Sequence, residues 1–345
     1  MRISPNFLLT LLILALFLLS CRPAPKPVGV NANEPTPVAT APNLPAAIST
    51  TSFEAKPPAA PQLALTAPAE RIVSLSPAMS EILFAVGCGD RLVLRDTWSD
   101  YPPEIKAIPS IGGFTPSAEA ILAAKPDLVL AHYPPQALQA ALTAAHVPWT
   151  GHAPKDLQDI ANSIREVAKA CGQPERGEEL AKTFEARLAA VALAIAGEKT
   201  PRVFYEMDAG IGGQPYTVSE KGFGHAVIVA AGGQNVFAHA DAAWFAVSTE
   251  AIIAADPDAI LLADADSIEQ PQTHELVAQR PGFAALRAVR QNRLFALHGD
   301  WVSRPGPRVV VGIEQIARAL HFNAMRALAL SPELAALSAS ATAAN

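Results

Sequence analysis

The feature that most constrains the fold of this chain is an internal repeat. Glu119-Ala-Ile-Leu-Ala-Ala-Lys-Pro-Asp-Leu-Val-Leu returns as Glu250-Ala-Ile-Ile-Ala-Ala-Asp-Pro-Asp-Ala-Ile-Leu, 131 residues later. Arg71-Ile-Val answers to Arg202-Val-Phe at the same offset. Two matched segments at one spacing predict two lobes of similar build. Within each lobe short apolar strands alternate with helices, as in Arg71-Ile-Val-Ser-Leu before Ser76-Pro77, or the helix from Glu119 before the strand Asp127-Leu-Val-Leu-Ala131. Ser76 is a capping residue with proline in the first helical position, and Gly87 is a stop. That alternation predicts α/β architecture with parallel sheets.

Between the repeats lie two helical patterns, Asp156 to Ala170 ending at Cys171-Gly172, and Pro174 to Ala196 ending at Gly197. The second is rich in Ala, Glu, Leu and Lys and carries no Pro after Pro174, so it is expected to be a stiff connector. Two Rossmann-like lobes on one rigid backbone helix enclose a cleft at their facing edges, where open α/β sheets place ligands.

The N-terminus has a different character. Arg2 precedes an apolar run from Phe7 to Leu19 broken only by Thr10, shorter than the ~20 residues of a membrane-spanning helix. It reads as a secretory signal. The run ends Leu18-Leu19-Ser20-Cys21, which resembles a bacterial lipobox, and that resemblance implies lipidation of Cys21. From Arg22 to Ala69 there are 11 prolines and five charged residues with little apolar periodicity. Such a segment is expected to stay disordered as a tether. The expected organisation is a signal peptide at 1–20, lipidated Cys and tether at 21–69, an N-terminal lobe at 70–172, the connecting helix at 173–198, a C-terminal lobe at 199–323 and an Ala-rich tail at 324–345. The protein is thus expected at the extracytoplasmic face of a membrane. Cys88 and Cys171 can pair in an oxidising compartment, but two cysteines make no disulfide framework, and the reading adopted is two buried free thiols.

Composition and motifs exclude several functions. With 26 Lys and Arg against 32 Asp and Glu, the net charge of −6 argues against a nucleic-acid partner. The sequence has no phosphate-binding loop, no Gly-x-Ser-x-Gly elbow and no His-Glu-x-x-His, so an enzyme is disfavoured and no cofactor or resident metal is expected. Gly210-Ile-Gly-Gly213 and Gly232-Gly233 read as turns. The eight histidines are scattered; His132 and His298 follow apolar strands and can reach the cleft. A free-ion receptor would need long-range convergence of His and carboxylates. Trp98, Phe114, Tyr216, Trp244 and Trp301 lie in polar, Gly- or Pro-rich surroundings in both halves. Large rings there suit the lining for a broad, flat ligand.

Taken in order, Arg71-Ile-Val-Ser-Leu-Ser-Pro-Ala-Met-Ser-Glu-Ile-Leu-Phe-Ala, Ser99-Asp-Tyr-Pro-Pro-Glu104, Glu119 to Leu130, Gly299-Asp-Trp and Arg304-Pro-Gly-Pro-Arg308 resemble the cobalamin and iron-siderophore binding proteins of bacterial ABC importers. The resemblance covers Arg71 to Phe322 and is nearest the cobalamin branch in Asp-Tyr-Pro-Pro. It implies a bilobal carrier that captures a corrinoid and delivers it to a permease dimer with its ATPase. Residue by residue it implies ligand contacts at Trp98, Phe114, Tyr216, Trp244, Asp300, Trp301 and Arg304, although several ring types depart from the cobalamin-binding pattern. It also implies permease docking through Glu119 and Glu250, each opening a helix after a capping signal, Thr115-Pro116 and Ser248 respectively. A ferric-siderophore or haem carrier is the alternative of the same class. Anionic chelates would call for several Arg or Lys in the cleft, where only Arg304 and Arg95 stand out. A two-lobe α/β enzyme is the alternative of a different class.

Overall fold

The computed structural model describes residues 65–333, apart from 114, 115, 152, 211–213 and 268–270. The expected signal peptide, Cys21 and nearly all of the tether lie outside these residues. The tether boundary at Ala69 needs correction at its end: Leu65 already packs on the core, and Ala69 is buried with its N–H donated to the Ala170 carbonyl. At the other end, the segment beginning at 324 packs at least to Ser331, whose N–H reaches Glu314.

The N-terminal lobe runs β1 (Ile72–Ser74), α1 (Pro77–Ala85), β2 (Leu92–Asp96), β3 (Ser110–Ile111), α2 (Ala118–Ala123), β4 (Leu128–Leu130) and α3 (Gln136–Ala144). Its sheet is parallel, in the order β3-β2-β1-β4. Next come α4 (Leu157–Ala170) and the 21-residue α5 (Pro174–Ala194). The C-terminal lobe follows with β5 (Arg202–Glu206), β6 (Tyr216–Val218), α6 (Phe223–Ala230), β7 (Gln234–Asn235), β8 (Trp244–Ala246), α7 (Thr249–Ala255), β9 (Ala259–Leu262), α8 (His274–Ala278), α9 (Arg287–Arg290), β10 (Leu294–Ala296), α10 (Gly299–Ser303), α11 (Val309–Leu320) and α12 (Phe322–Met325). Its main sheet is also parallel, ordered β10-β9-β5-β7, and β6 with β8 forms an antiparallel ribbon.

The repeat is carried into the backbone register. Ile72 faces Leu128 in one lobe and Val203 faces Ala259 in the other, each pair displaced by the sequence offset. Asp127 accepts the N–H of Arg71 at 3.0 Å and Asp258 that of Arg202 at 2.9 Å, so the Pro-Asp step clamps the start of the neighbouring strand in both lobes. Lys125 and Asp256, at equivalent positions, both have positive φ. Ser117 and Ser248 cap α2 and α7, accepting from Ala120 and Ala251. The first cap is therefore Ser117, not the expected Thr115-Pro116; Ser117 stands two residues before Glu119, as Ser248 does before Glu250.

The helix α5 is fastened on both sides. Arg165 on α4 bridges Glu178 at 2.7 Å and Glu185 at 2.9 Å, while Arg187 donates to Glu314 of α11 at 2.7 Å. Glu314 is fully buried, and the Arg187 pair offsets the cost of removing its charge from water. Cys88 and Cys171 form a disulfide, with Cα atoms 6.4 Å apart. The expectation of two free thiols is overturned: the turn after α1 and the end of α4 fold against each other, which brings cysteines 83 residues apart in sequence within bonding distance.

Candidate functional site

Both parallel sheets direct the loops that follow their strands into one cleft. Within it lies a partly open cavity of about 150 Å³ lined by His132, Tyr133, Ala153 and Pro154 from the N-terminal side and by Tyr205, Met207, Val218, Phe223, Gly224, Trp244, Val302, Ser303 and Pro305 from the C-terminal side. None of these is a Lys, Arg, Asp or Glu. His132 Nδ1 lies 3.2 Å from Ser76 Oγ, so a residue just past β4 is tied to the start of α1. Tyr133, Tyr205 and Phe223 were not singled out in the sequence; the signal that finds Tyr133 is its place beside His132 directly after a strand.

Trp244, from this lining, is one of several exposed rings. Trp98 and Trp244 are each 44% exposed and Tyr216 40%, unusual for such large apolar surfaces unless they have a partner. Trp98 is aimed by Asp96 at the end of β2, whose carboxylate accepts the Trp98 and Ser99 N–H groups at 2.7 and 3.0 Å and the Ser99 hydroxyl at 2.6 Å. Gly113 gives the indole its room, since a Cβ there would lie 2.2 Å from the ring. Trp244 and Tyr216 sit on the β6–β8 ribbon, where the pairings Tyr216 with Ala246 and Val218 with Trp244 put both rings on one face. Phe114 lies outside the described residues.

Trp301 does not join this lining. It is 5% exposed in the core, with the His298 ring stacked on it at 4.3 Å. The expectation of a cleft-facing indole is corrected: Trp301 lies within the short helix α10, which packs against α11 and turns the ring inward.

Arg304 and Asp300 lie in a charged cluster that crosses between the lobes. Arg304 donates to Asp100 and lies against Asp300, both at 2.7 Å, with Glu81 at 4.0 Å. Arg308 forms a two-pronged pair with Glu81, and its guanidinium sits 3.7 Å over the Tyr101 ring. Gly306 lets this loop meet α1, because a Cβ there would come within 3.1 Å of Ala78. Burial raises the Glu81 carboxyl above its usual range despite Arg308. Burial acts the same way on Asp100, but the bond and charge of Arg304 outweigh it and hold that carboxyl low. Arg95 is committed elsewhere, donating to the Ile105, Ile108, Asp96 and Ser99 carbonyls.

Behind the C-terminal wall, Glu206 pairs with Arg280 while Asp264 is 6% exposed with neither carboxylate oxygen hydrogen-bonded. Burial, then the charge of Glu206, pushes the Asp264 carboxyl up to about 7. The folded protein holds this proton more tightly than the unfolded chain does. Stability is therefore lost as pH rises from about 4 to about 7, and the loss is complete above that. Asp264→Asn is expected to raise the unfolding free energy by about 2 kcal/mol at pH 8 and to leave it unchanged at pH 4, read by denaturant titration. Equal effects at both pH values would show that the acid does not titrate there.

Glu119 and Glu250, in the first turns of α2 and α7, are both exposed. Among the described residues no group of three or more His, Cys, Asp or Glu side chains is placed to hold a metal ion, and no helix is long and apolar enough to cross a membrane.

Comparison with known proteins agrees with this architecture. The family model described as periplasmic binding protein matches residues 72–301. A vitamin B12-binding protein of Vibrio cholerae serotype O1 is 31% identical over 267 residues, 74% of this chain and 90% of that protein. Among solved structures, the periplasmic vitamin B12 binding protein BtuF of Vibrio cholerae aligns with a TM-score of 0.66 and 30% identity, over 75% of this chain and 99% of that one. The periplasmic heme-binding protein RhuT from Roseiflexus sp. RS-1 aligns with the same TM-score and 34% identity, over 74% and 99%. By sequence match and by its two parallel-sheet lobes, this chain belongs to the periplasmic binding protein family, whose members are substrate carriers and not enzymes.

Proposed function

We infer that this protein captures cobalamin or a related corrinoid in the cleft and delivers it to the permease of an ABC importer. One observation carries the reading: large rings stand exposed in both lobes, Trp98 in one and Tyr216 with Trp244 in the other, and Trp244 lines a cavity between the lobes whose lining has no charged side chain. A corrin overfills a cavity of about 150 Å³, so its flat face would rest in the open mouth against these rings, with the segment from Asp300 to Arg304 at its edge. Similarity to curated vitamin B12-binding proteins supports this ligand, while the similarity to RhuT favours haem as the second reading. Lipid attachment at Cys21 would hold the carrier at the membrane, in keeping with the Bacillus subtilis relative YvrC, which is named an ABC transporter substrate-binding lipoprotein and is 26% identical over 73% of this chain and 80% of that one. Glu119 and Glu250 would dock onto the permease.

Trp244→Ala is expected to weaken cyanocobalamin binding roughly 10- to 100-fold, since an aromatic stacking face contributes about 1–3 kcal/mol. Calorimetric titration reads the affinity, and an unchanged melting temperature shows the fold is intact. Unchanged affinity would remove Trp244 from the site.

A further inference from the structure

We propose that Asp100 and Asp300 set the charge selectivity of the cleft, admitting corrinoids whose periphery is amidated and rejecting those that carry peripheral carboxylates. This rests on the corrinoid reading above. Ser303 and Pro305 line the cavity, so Arg304 between them is the guanidinium adjacent to it, as Lys155 after Pro154 is the adjacent ammonium on the other side. A free guanidinium there would attract any carboxylate on the ligand edge. It is not free. Asp100, from the other lobe, and Asp300, one turn before it, each hold it at 2.7 Å, and only 16% of its side chain is exposed.

The remaining charges point the same way. Arg308 is spent on Glu81 and Arg280 on Glu206, and residues 114, 115, 152, 211–213 and 268–270 include no Lys or Arg. Carboxylates thus outnumber guanidinium groups around Arg304, with Asp100 half exposed and Asp300 about a third exposed. At this edge an incoming carboxylate would meet like charge and a guanidinium already paired, whereas a propionamide would find acceptors for its N–H groups in the same two aspartates. Such a carrier collects corrinoids in which every edge acid is already an amide, the product of an amidation reaction, and passes over their polyacid precursors. The same exclusion would act on a tetrapyrrole with free propionates.

The test uses cyanocobalamin and its monocarboxylate, in which one propionamide is hydrolysed to the acid, titrated calorimetrically into the full chain at pH 7.5 and low salt. The ratio of the two dissociation constants is expected to be roughly 10 or more in favour of the amide, and to shrink at high salt as the charges are screened. Asp100→Asn should bring the ratio toward one by freeing one face of Arg304, and Arg304→Gln should widen it by leaving the aspartates unopposed. A shared structural loss would move both affinities together and leave the ratio alone. Equal affinity of the wild type for both corrinoids, or a ratio indifferent to Asp100→Asn and Arg304→Gln, would overturn this inference while the corrinoid reading stands. No binding of cyanocobalamin at all would overturn both.

Discussion

Replacing Glu119 and Glu250 together with Ala is expected to abolish complex formation with the permease and transport, while the cyanocobalamin affinity of the carrier changes little. The two carboxylates occupy one position of the repeat, each exposed in the first turn of a helix capped by an equivalent serine. A two-fold symmetric permease, presenting one basic pocket per subunit, can engage such a pair at once. Each single replacement should give a partial loss. If the carboxylates served only the positive ends of their helices, the double variant would lose up to about 1 kcal/mol of stability per site and still dock normally. Pull-down on reconstituted permease, set beside ligand titration of the same variant, separates the two.

The second large effect concerns the disulfide. Closing a loop of 83 residues restricts the unfolded chain by about 4–5 kcal/mol in the chain-entropy model. Cys88→Ala with Cys171→Ala is therefore expected to lower the melting temperature by roughly 10 °C, with ligand binding retained at low temperature. Both sulfurs are buried at 0% exposure, so the bond should resist reductant in the folded protein and yield to it after unfolding. Denatured without reductant, the chain should show no titratable thiol from these two positions. Two such thiols would contradict the pairing.

Much of the fold was legible because it is written locally and twice. The offset linking Arg71 to Arg202 and Glu119 to Glu250 reappears in strand register, in the Asp127 and Asp258 clamps and in the Ser117 and Ser248 caps. Each rests on residues close in sequence or repeated at one spacing. The helix α5 was legible from composition, since Pro174 opens it and no later proline interrupts it. What the sequence hid is set by contacts between distant segments. Arg304 reads as a cleft cation until Asp100, 204 residues away, is found against it. Nothing in the local sequence marks Glu81 as buried, yet it lies 4% exposed under Arg308, 227 residues away. Trp301 was misplaced because its loop-like surroundings conceal a short helix that packs inward. Tyr205 was missed because a tyrosine inside a strand looks like core, and at 1% exposure it is core as well as cavity wall.

The central claim is that a corrinoid rests on the rings of both lobes. Its most direct test is to incubate the purified protein with cyanocobalamin, and in parallel with haem, remove free ligand by gel filtration and record the absorption spectrum. Corrin bands retained at about one equivalent per chain, and lost in a Trp98→Ala, Trp244→Ala double variant that remains folded, are the predicted result. Protein that emerges without corrin absorbance but holds haem would contradict it.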